Sequence, residues 1–432
     1  MATIETEVVV VGSGPGGASA ARELVKAGKK VTMLEWGSDS DWIGSHLAVI
    51  PKVDMKNAIP LGHAMMIRGI VTGGSSLIYC GTATKPAAFI KEQTGIDLAP
   101  FADEFEEELG IGPLPERLVG DAAGRIMAAA NALGIKWELL PKFIDPAKCV
   151  RDCGECMLGC KRGAKWTARE FVKQAQGLGM TLVTKARVDE VIHEQGRAVG
   201  VRGRGPEGPL EVRAHRVVIA AGGLGTPVIL QRSGIEAAGQ GFFTDPLLFT
   251  YGTREGQDKG SIYDIPMTAG TWQFHASEGF VLTDLAEPWM LQLSSLGMKG
   301  RVDQVFNLAK VLGIMTKVKD PISGTIDADG KLKKKLEPEV TARLVSGDAH
   351  AREILLKAGV KKSSLWTAPI KAAHPGGSAP IGKVVDTNLE TQIKGCYVAD
   401  SSVVPDELGT PVVLLALCIG KHAARRMLAD WN

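Results

Sequence analysis

The sequence has little net charge, no long apolar run, no targeting segment and no even spread of cysteines. Its 50 Lys and Arg stand against 48 Asp and Glu, a formal +2, so the chain as a whole offers no attraction to nucleic acid or to an anionic membrane. Nothing reaches the roughly 18 apolar residues that a spanning helix needs; Pro411 to Ile419 is much too short. At the N-terminus, Met1-Ala-Thr-Ile-Glu-Thr-Glu runs into valines at Val8 without a basic n-region, an apolar h-region or a cleavage site. Internal repeats and low-complexity segments are missing too. The expectation is a soluble, cytoplasmic protein in a reducing compartment. Its 432 residues suffice for two or three folding units with a sizeable core.

Glycine is abundant, 52 residues, and its positions matter more than its count. Glu7 to Glu35 change period as a βαβ unit does: a β-branched run (Val8 to Val11), glycines, Ala18 to Ala27 at helical spacing, then a strand from Lys30 to Glu35. Gly12-Ser13-Gly14-Pro15-Gly16-Gly17 is therefore G-x-G-x-x-G between a strand and a helix. Gly12 permits the tight turn, Gly14 lets the backbone approach a pyrophosphate, and Gly17 lets helix and strand pack closely. The helix N-terminus offers unpaired N–H groups, and Glu35 can accept from a ribose hydroxyl. Which dinucleotide binds is left open by this motif. Further on, Thr181 to Thr184, Val188 to Ile192, Ala198 to Arg202 and Glu211 to Ala220 are short strands, preceded by a helix from Trp166 to Leu178. The closing helix spans Pro411 to Leu428. Asp245 to Ala372 differs in character, with fewer glycine signals and a charged segment, Lys331 to Glu339, and reads as an inserted domain.

Three distant segments favour FAD. They are the small-residue loop Arg68-Gly-Ile-Val-Thr-Gly73-Gly74-Ser75-Ser76, the strand ending Ala220-Ala221-Gly222-Gly223, and the C-terminal pair His374-Pro-Gly-Gly and Gly395-Cys-Tyr-Val-Ala-Asp400-Ser401-Ser402. In this order, with the fingerprint and the stretch Lys185-Ala-Arg-Val188-Asp-Glu, they resemble the FAD-dependent glucose–methanol–choline (GMC) oxidoreductases. The middle, about 246 to 371, matches only weakly. The resemblance implies an α/β fold: a discontinuous Rossmann-like FAD-binding domain (1–85, 161–245 and 373–432), a connecting segment (86–160) and an inserted α+β substrate domain (246–372). It implies that Gly12, Gly14, Gly17, Glu35, Gly73, Gly74, Ser75, Val188, Gly222, Asp400 and Ser401 line the cofactor, and that Pro411 and Val412 open a helix whose dipole points at the flavin.

In that family a histidine near the C-terminus takes the proton from an alcohol while hydride moves to the flavin. His374 matches it, and an imidazole has the right unperturbed pKa. The family usually has a second His or Asn at the start of the last helix. Here Gly409-Thr410-Pro411-Val412 supplies only the hydroxyl of Thr410, with His275 or Tyr263 of the inserted domain as candidates to complete the site. The chain is also shorter than the family usually runs, which implies a trimmed substrate domain and a pocket or electron path shared with a partner.

Four of the seven cysteines fall at Cys149-x3-Cys153-x2-Cys156-x3-Cys160. So short a segment can wrap one compact centre, as ferredoxin-like runs hold [4Fe–4S]; structural zinc more often uses two separated pairs, and disulfides suit the compartment poorly. The first three also match radical-SAM spacing, but the strands that follow belong to the flavin fold. The expected activity is an FAD- and iron–sulfur-dependent dehydrogenase acting on a C–OH/C=O pair through an external electron carrier or partner redox subunit. The alternatives are a reductase of a C=C or carbonyl in an apolar substrate, and an electron-transfer flavin subunit.

Overall fold

The computed structural model describes residues 2–41, 43–54, 64–256 and 259–431. Val8 to Val11 end the first strand, β1 (Ala2–Val11), and are buried on both faces, as in a parallel strand covered from each side. The chain turns at the fingerprint into α1 (Pro15–Lys26) and returns as β2 (Val31–Leu34), completing the predicted βαβ unit. Among the described residues seven strands form this first sheet. β5 (Thr181–Val183) extends it beyond β2. On the other side β8 (Gly208–Ile219) pairs parallel with β1, followed by β7 (Arg197–Gly205) and β6 (Arg187–Glu194) as an antiparallel meander. β15 (Cys396–Val398) returns from the far end of the chain to lie parallel to Val217–Ile219. The final helix, α6 (Val413–Ala429), crosses α1 so closely that a Cβ on Gly420 would strike the Gly16 carbonyl. Three chain segments thus build one core, the discontinuity that the resemblance implies.

Among the described residues a second, eight-stranded sheet holds the region predicted as inserted. Its centre is β9 (Phe243–Thr253) and β12 (Val311–Val318), both apolar and almost wholly buried. β11 (Phe280–Asp284) and β10 (Ala269–Thr271) follow β12; β14 (Lys371–Gly376) and β13 (Trp366–Thr367) lie against β9. The edges come from earlier in the chain: β3 (Met65–Met66) beside β14 and β4 (Glu138–Leu139) beside β10. These two-residue strands carry no periodicity, so the sequence offers no signal that they join this sheet. α2 (Asp121–Ala132) and α5 (Pro338–Lys357) cover one face through Ile126, Phe280, Leu312, Leu344 and Ile354. α3 (Arg169–Gly177) and α4 (Gly222–Arg232) attend the first sheet. Of the aromatic and Met side chains in the middle region, Trp366 stacks on Tyr251 in the core, whereas Trp289 and Met290 are exposed.

Candidate active site

The fingerprint makes a cradle at the C-terminal end of β1. Gly12 has φ +99°, and a Cβ there would strike the Ala220 carbonyl at the end of β8, so only glycine fits. Gly14 precedes α1, a Cβ on it would meet nothing within 4 Å, and the first turn of α1 holds no acidic residue and no side-chain cap. The unpaired N–H groups of α1 therefore open onto free space, the arrangement that binds an anion. Glu35 closes β2. Its Oε2 accepts from Ser13 N (3.1 Å) and Ser13 Oγ (2.5 Å), its Oε1 from Gly37 N (2.6 Å), and burial raises its pKa against these bonds. Oε2 is thereby fully engaged, and Oε1 keeps a lone pair for a ribose hydroxyl. Ser13 Oγ also accepts from Gly73 N (3.0 Å), and Gly74 lies directly against Gly14, so the Gly73-Gly74-Ser75 loop forms the facing wall. Ser75 Oγ accepts from Gly69 N (3.0 Å). Val188 is buried in β6, two residues beyond Ala186, whose N–H donates to the Glu35 carbonyl (2.9 Å).

The C-terminal residues tie the first sheet to the second. Asp400 is buried and engaged on both oxygens: Oδ2 accepts from Gly222 N (2.8 Å) and Thr226 Oγ1 (2.5 Å), Oδ1 from Ser402 N (2.8 Å). It ties the start of α4 to the end of β15, leaving Gly222 with open space where a Cβ would sit. Ser401 Oγ donates to the Pro375 carbonyl (2.7 Å), anchoring the turn after His374. Pro411 and Val412 precede α6, which begins at Val413 rather than Pro411. Val412 is its N-cap, and no side chain caps it. Fingerprint, Gly-Gly-Ser loop, Gly222 and two uncapped helix starts fit a dinucleotide cofactor such as FAD.

His374 lies on β14 with φ +49°, at the register shift where β14 pairs with Phe243 and Asp245 of β9. A left-handed non-glycine residue at a bulge marks a side chain re-aimed by its backbone. Its Nδ1 is 2.9 Å from Asp245 Oδ2 and 2.7 Å from Lys317 Nζ, and Lys317 Nζ is 3.1 Å from the same Asp245 oxygen. Asp245 and Lys317 are 0% and 2% exposed, and His374 is 24% exposed. Burial, then the Lys317 charge, lowers the His374 pKa, with Asp245 opposing; burial also lowers that of Lys317. Asp245 Oδ1 accepts from Gly409 N (3.1 Å), and His275 Nε2 lies 2.9 Å from the Leu408 carbonyl, so buried Thr410 sits in the strap between them. Tyr263 lies instead beside Gly154, in the cysteine segment. Asp245 and Lys317 are what sequence reasoning missed. Their signal is a lone acid and a lone base in two otherwise apolar strand sequences, Phe243-Thr-Asp-Pro-Leu-Leu-Phe-Thr and Val311-Leu-Gly-Ile-Met-Thr-Lys-Val.

All seven cysteines are free thiols. Cys149, Cys156 and Cys160 pack against Leu114, Leu118, Ile144, Ala164 and Ile265. Burial pushes Cys149 up to about 11 and Cys156 up to about 12. Among the described residues no three His, Cys, Asp or Glu side chains converge on a position for a metal ion, so the predicted four-cysteine ligand set is not assembled. Two buried lysines border it. Lys165 Nζ donates to the carbonyls of Leu77 (2.8 Å), Tyr79 (2.8 Å) and Cys156 (2.6 Å). Lys142 Nζ donates to Thr82 Oγ1 (2.9 Å) and the carbonyls of Cys80, Pro266 and Met267.

The sequence model of the GMC oxidoreductase family matches residues 16–247, more than half of the chain. The chain belongs to the GMC oxidoreductase family. This GMC oxidoreductase is an FAD-dependent enzyme, and its relatives span its length. It is 26% identical to an uncharacterised GMC-type oxidoreductase of Mycobacterium tuberculosis, over 96% of its own chain and 74% of the relative's. It is 26% identical to an uncharacterised protein of Methanocaldococcus jannaschii, over 98% and 100%. A long-chain-alcohol oxidase of Arabidopsis thaliana is 26% identical over 96% and 68%. Among solved structures, a formate oxidase variant of Aspergillus oryzae superposes with a TM-score of 0.73 at 15% identity, covering 100% of this chain and 99% of that one. Pyridoxine 4-oxidase from Mesorbium loti gives 0.72 at 16%, over 98% and 99%. These structures share its fold. Among the described residues no helix is long and apolar enough to cross a membrane.

Proposed function

We propose that this GMC oxidoreductase interconverts an alcohol and a carbonyl compound, with His374 as acid/base. The observation that carries the reading is the re-aimed, partly exposed His374 at the β14 bulge, with its Nδ1 held by Asp245 and Lys317 and its other ring nitrogen left for substrate. Bound FAD supplies hydride transfer. The fingerprint, Glu35, Gly73 to Ser75, Val188, Gly222, Asp400, Ser401 and the Pro411–Val412 start of α6 hold it. The chain's own work is with the proton. Burial keeps the imidazole neutral at pH 7, so its free nitrogen takes a proton from an alcohol or returns one to a carbonyl oxygen. Thr410, on the strap that Asp245 fixes, and His275, which touches that strap at the Leu408 carbonyl, orient the substrate oxygen. The long-chain-alcohol oxidase among the relatives supports an alcohol as the reduced substrate. Anaerobic mixing distinguishes directions. Bleaching of the oxidised flavin by an alcohol supports this reading, whereas reoxidation of reduced flavin by an enone but never by a ketone points to C=C reduction.

A second redox centre at Cys149, Cys153, Cys156 and Cys160 is supported by their spacing and by Lys142 and Lys165. Lys165 Nζ donates to neutral carbonyls and Lys142 has the Asp284 carboxylate acting on it, and a buried cation such as Lys165 is costly without a nearby anion. Cys149, Cys153, Cys156 and Cys160 would have to close together as thiolates to hold a [4Fe–4S] cluster and supply that anion; the chemistry such a centre would add is single-electron exchange with an external carrier or a partner redox subunit. Iron and acid-labile sulfide near background in anaerobically purified protein remove this part of the proposal.

A further inference from the structure

The family's usual second His or Asn is replaced here by Thr410-Pro411, so the site as read from the motif has one proton-handling group. The structure brings in another from the second sheet. β14, β9 and β12 are adjacent strands; Leu247 pairs with Lys317, which puts Asp245 and Lys317 on one face, and the bulge after Ala373, the partner of Asp245, turns His374 onto that face. Nδ1 of His374 stands within hydrogen-bond distance of both neighbours, Lys317 Nζ at 2.7 Å and Asp245 Oδ2 at 2.9 Å, yet it has one in-plane position for a proton or a lone pair. Two arrangements satisfy it. With Lys317 an ammonium, Nζ donates to Nδ1 and the imidazole proton sits on Nε2. With Lys317 a neutral amine, Nδ1–H donates to Asp245 and Nε2 is bare. An imidazolium and an ammonium together beside one buried carboxylate would leave a cation uncompensated, so the pair carries at most one positive charge.

We propose that Lys317 is the proton-holding partner of His374, a positioning residue that decides which nitrogen of His374 carries its proton and hence whether His374 acts as base or acid. The inference rests on the reading of His374 as acid/base. In oxidation the alcohol O–H breaks as Nε2–H forms, while Nδ1–H breaks as a third Nζ–H forms. The proton ends on the Lys317 ammonium beside the Asp245 carboxylate, and the hydride goes to bound oxidised flavin. Reduction runs the same transfers backwards. Oxidation therefore needs the neutral amine and gains as pH rises; reduction needs the ammonium and gains as it falls. The other charged or titratable groups facing the pair are Cys80 near Lys317 and His275 near both Asp245 and Lys317, with Lys319 acting on His275.

The test reads the pair without substrate. Long-range 1H–15N correlation spectra of 15N-histidine-labelled holoprotein, with His374 assigned by His374→Gln, follow its tautomer and charge from pH 5 to 10. The neutral wild-type imidazole should change tautomer as Lys317 releases its proton. Lys317→Met should raise the His374 midpoint by about one unit or more, a tenfold change in protonation, because Asp245 then faces the imidazole alone. Lys317→Arg, which cannot release its proton, should hold one tautomer throughout. An unchanged midpoint in Lys317→Met overturns the proposal. Should that variant fail to fold or bind flavin, identical tautomer behaviour in the wild type and Lys317→Arg overturns it instead. Alcohol oxidation that survives His374→Ala would refute the acid/base reading while leaving the coupling itself intact, so the two failures are distinguishable.

Discussion

Asp264 illustrates how burial sets charge in this protein. It is 2% exposed, its Oδ2 accepts from Ala123 N (2.8 Å) at the start of α2, and burial raises its pKa to about 8, with Asp284 and Asp121 adding to the rise. A folded pKa above the unfolded value of about 3.9 means that the folded state binds more protons between the two. This contribution to stability is present at low pH and is lost as pH rises through about 4 to 8. Asp264→Asn keeps an acceptor for Ala123 and removes the titration. Relative to that variant, the wild type should lose about 1–3 kcal/mol between pH 5.5 and pH 8.5, read from urea midpoints at both pH values. Parallel pH dependences would contradict the assignment. The same scale shows what the sequence makes legible. His374 is found because its motif surrounds it. Asp245 and Lys317 escape because each owes its role to a partner two strands or more than fifty residues away, and no local spacing records cross-strand register.

Elements follow their local signals where these are strong. The βαβ unit and the β6–β8 meander match the pattern, since alternation, glycine turns and strand length all agree. The start of α6 does not: Pro411 suits a first helical turn, but the helix begins two residues later, with Gly409, at φ +70°, bonded to Asp245. The fingerprint supplies a contrast between neighbouring glycines. Gly12→Ala should lower stability by several kcal/mol or prevent folding, because Cβ meets the Ala220 carbonyl in a left-handed backbone. Gly14→Ala should fold with a melting temperature close to wild type yet retain less FAD, because its Cβ enters open space meant for cofactor. Flavin absorbance and thermal melts of the two variants check this; equal flavin loss with equal destabilisation would deny Gly14 a place at the cofactor.

At the scale of the molecule, two sheets meet along the line from β14 to β15, and the His374 site lies where they join. The cysteine segment is close by. Cys80 senses Lys142, Lys165 and Lys317, and Lys165 in turn lies against Cys156, so a row of buried lysines runs from the cysteines to His374. The cysteine spacing is plain in the sequence; Lys142 beside it is not, because it is a single charge in an unremarkable local context. If the segment holds a cluster, Cys156→Ser should remove iron and its visible absorbance while sparing the flavin, and Lys165→Met should lower the midpoint potential of the cluster by removing a cation. Iron content unaffected by Cys156→Ser would separate the metal from this segment.

The central claim is that FAD and His374 act together on a C–OH/C=O pair. Anaerobic stopped-flow spectrophotometry of the FAD-loaded wild type and His374→Ala, mixed with primary alcohols of increasing chain length and, after photoreduction, with the matching aldehydes, tests it most directly. The account predicts that at least one pair bleaches or restores the wild-type flavin absorbance, and that His374→Ala slows the change about 10²–10⁴-fold without losing flavin. Flavin that no alcohol or aldehyde alters, or a His374→Ala rate equal to wild type, would contradict it.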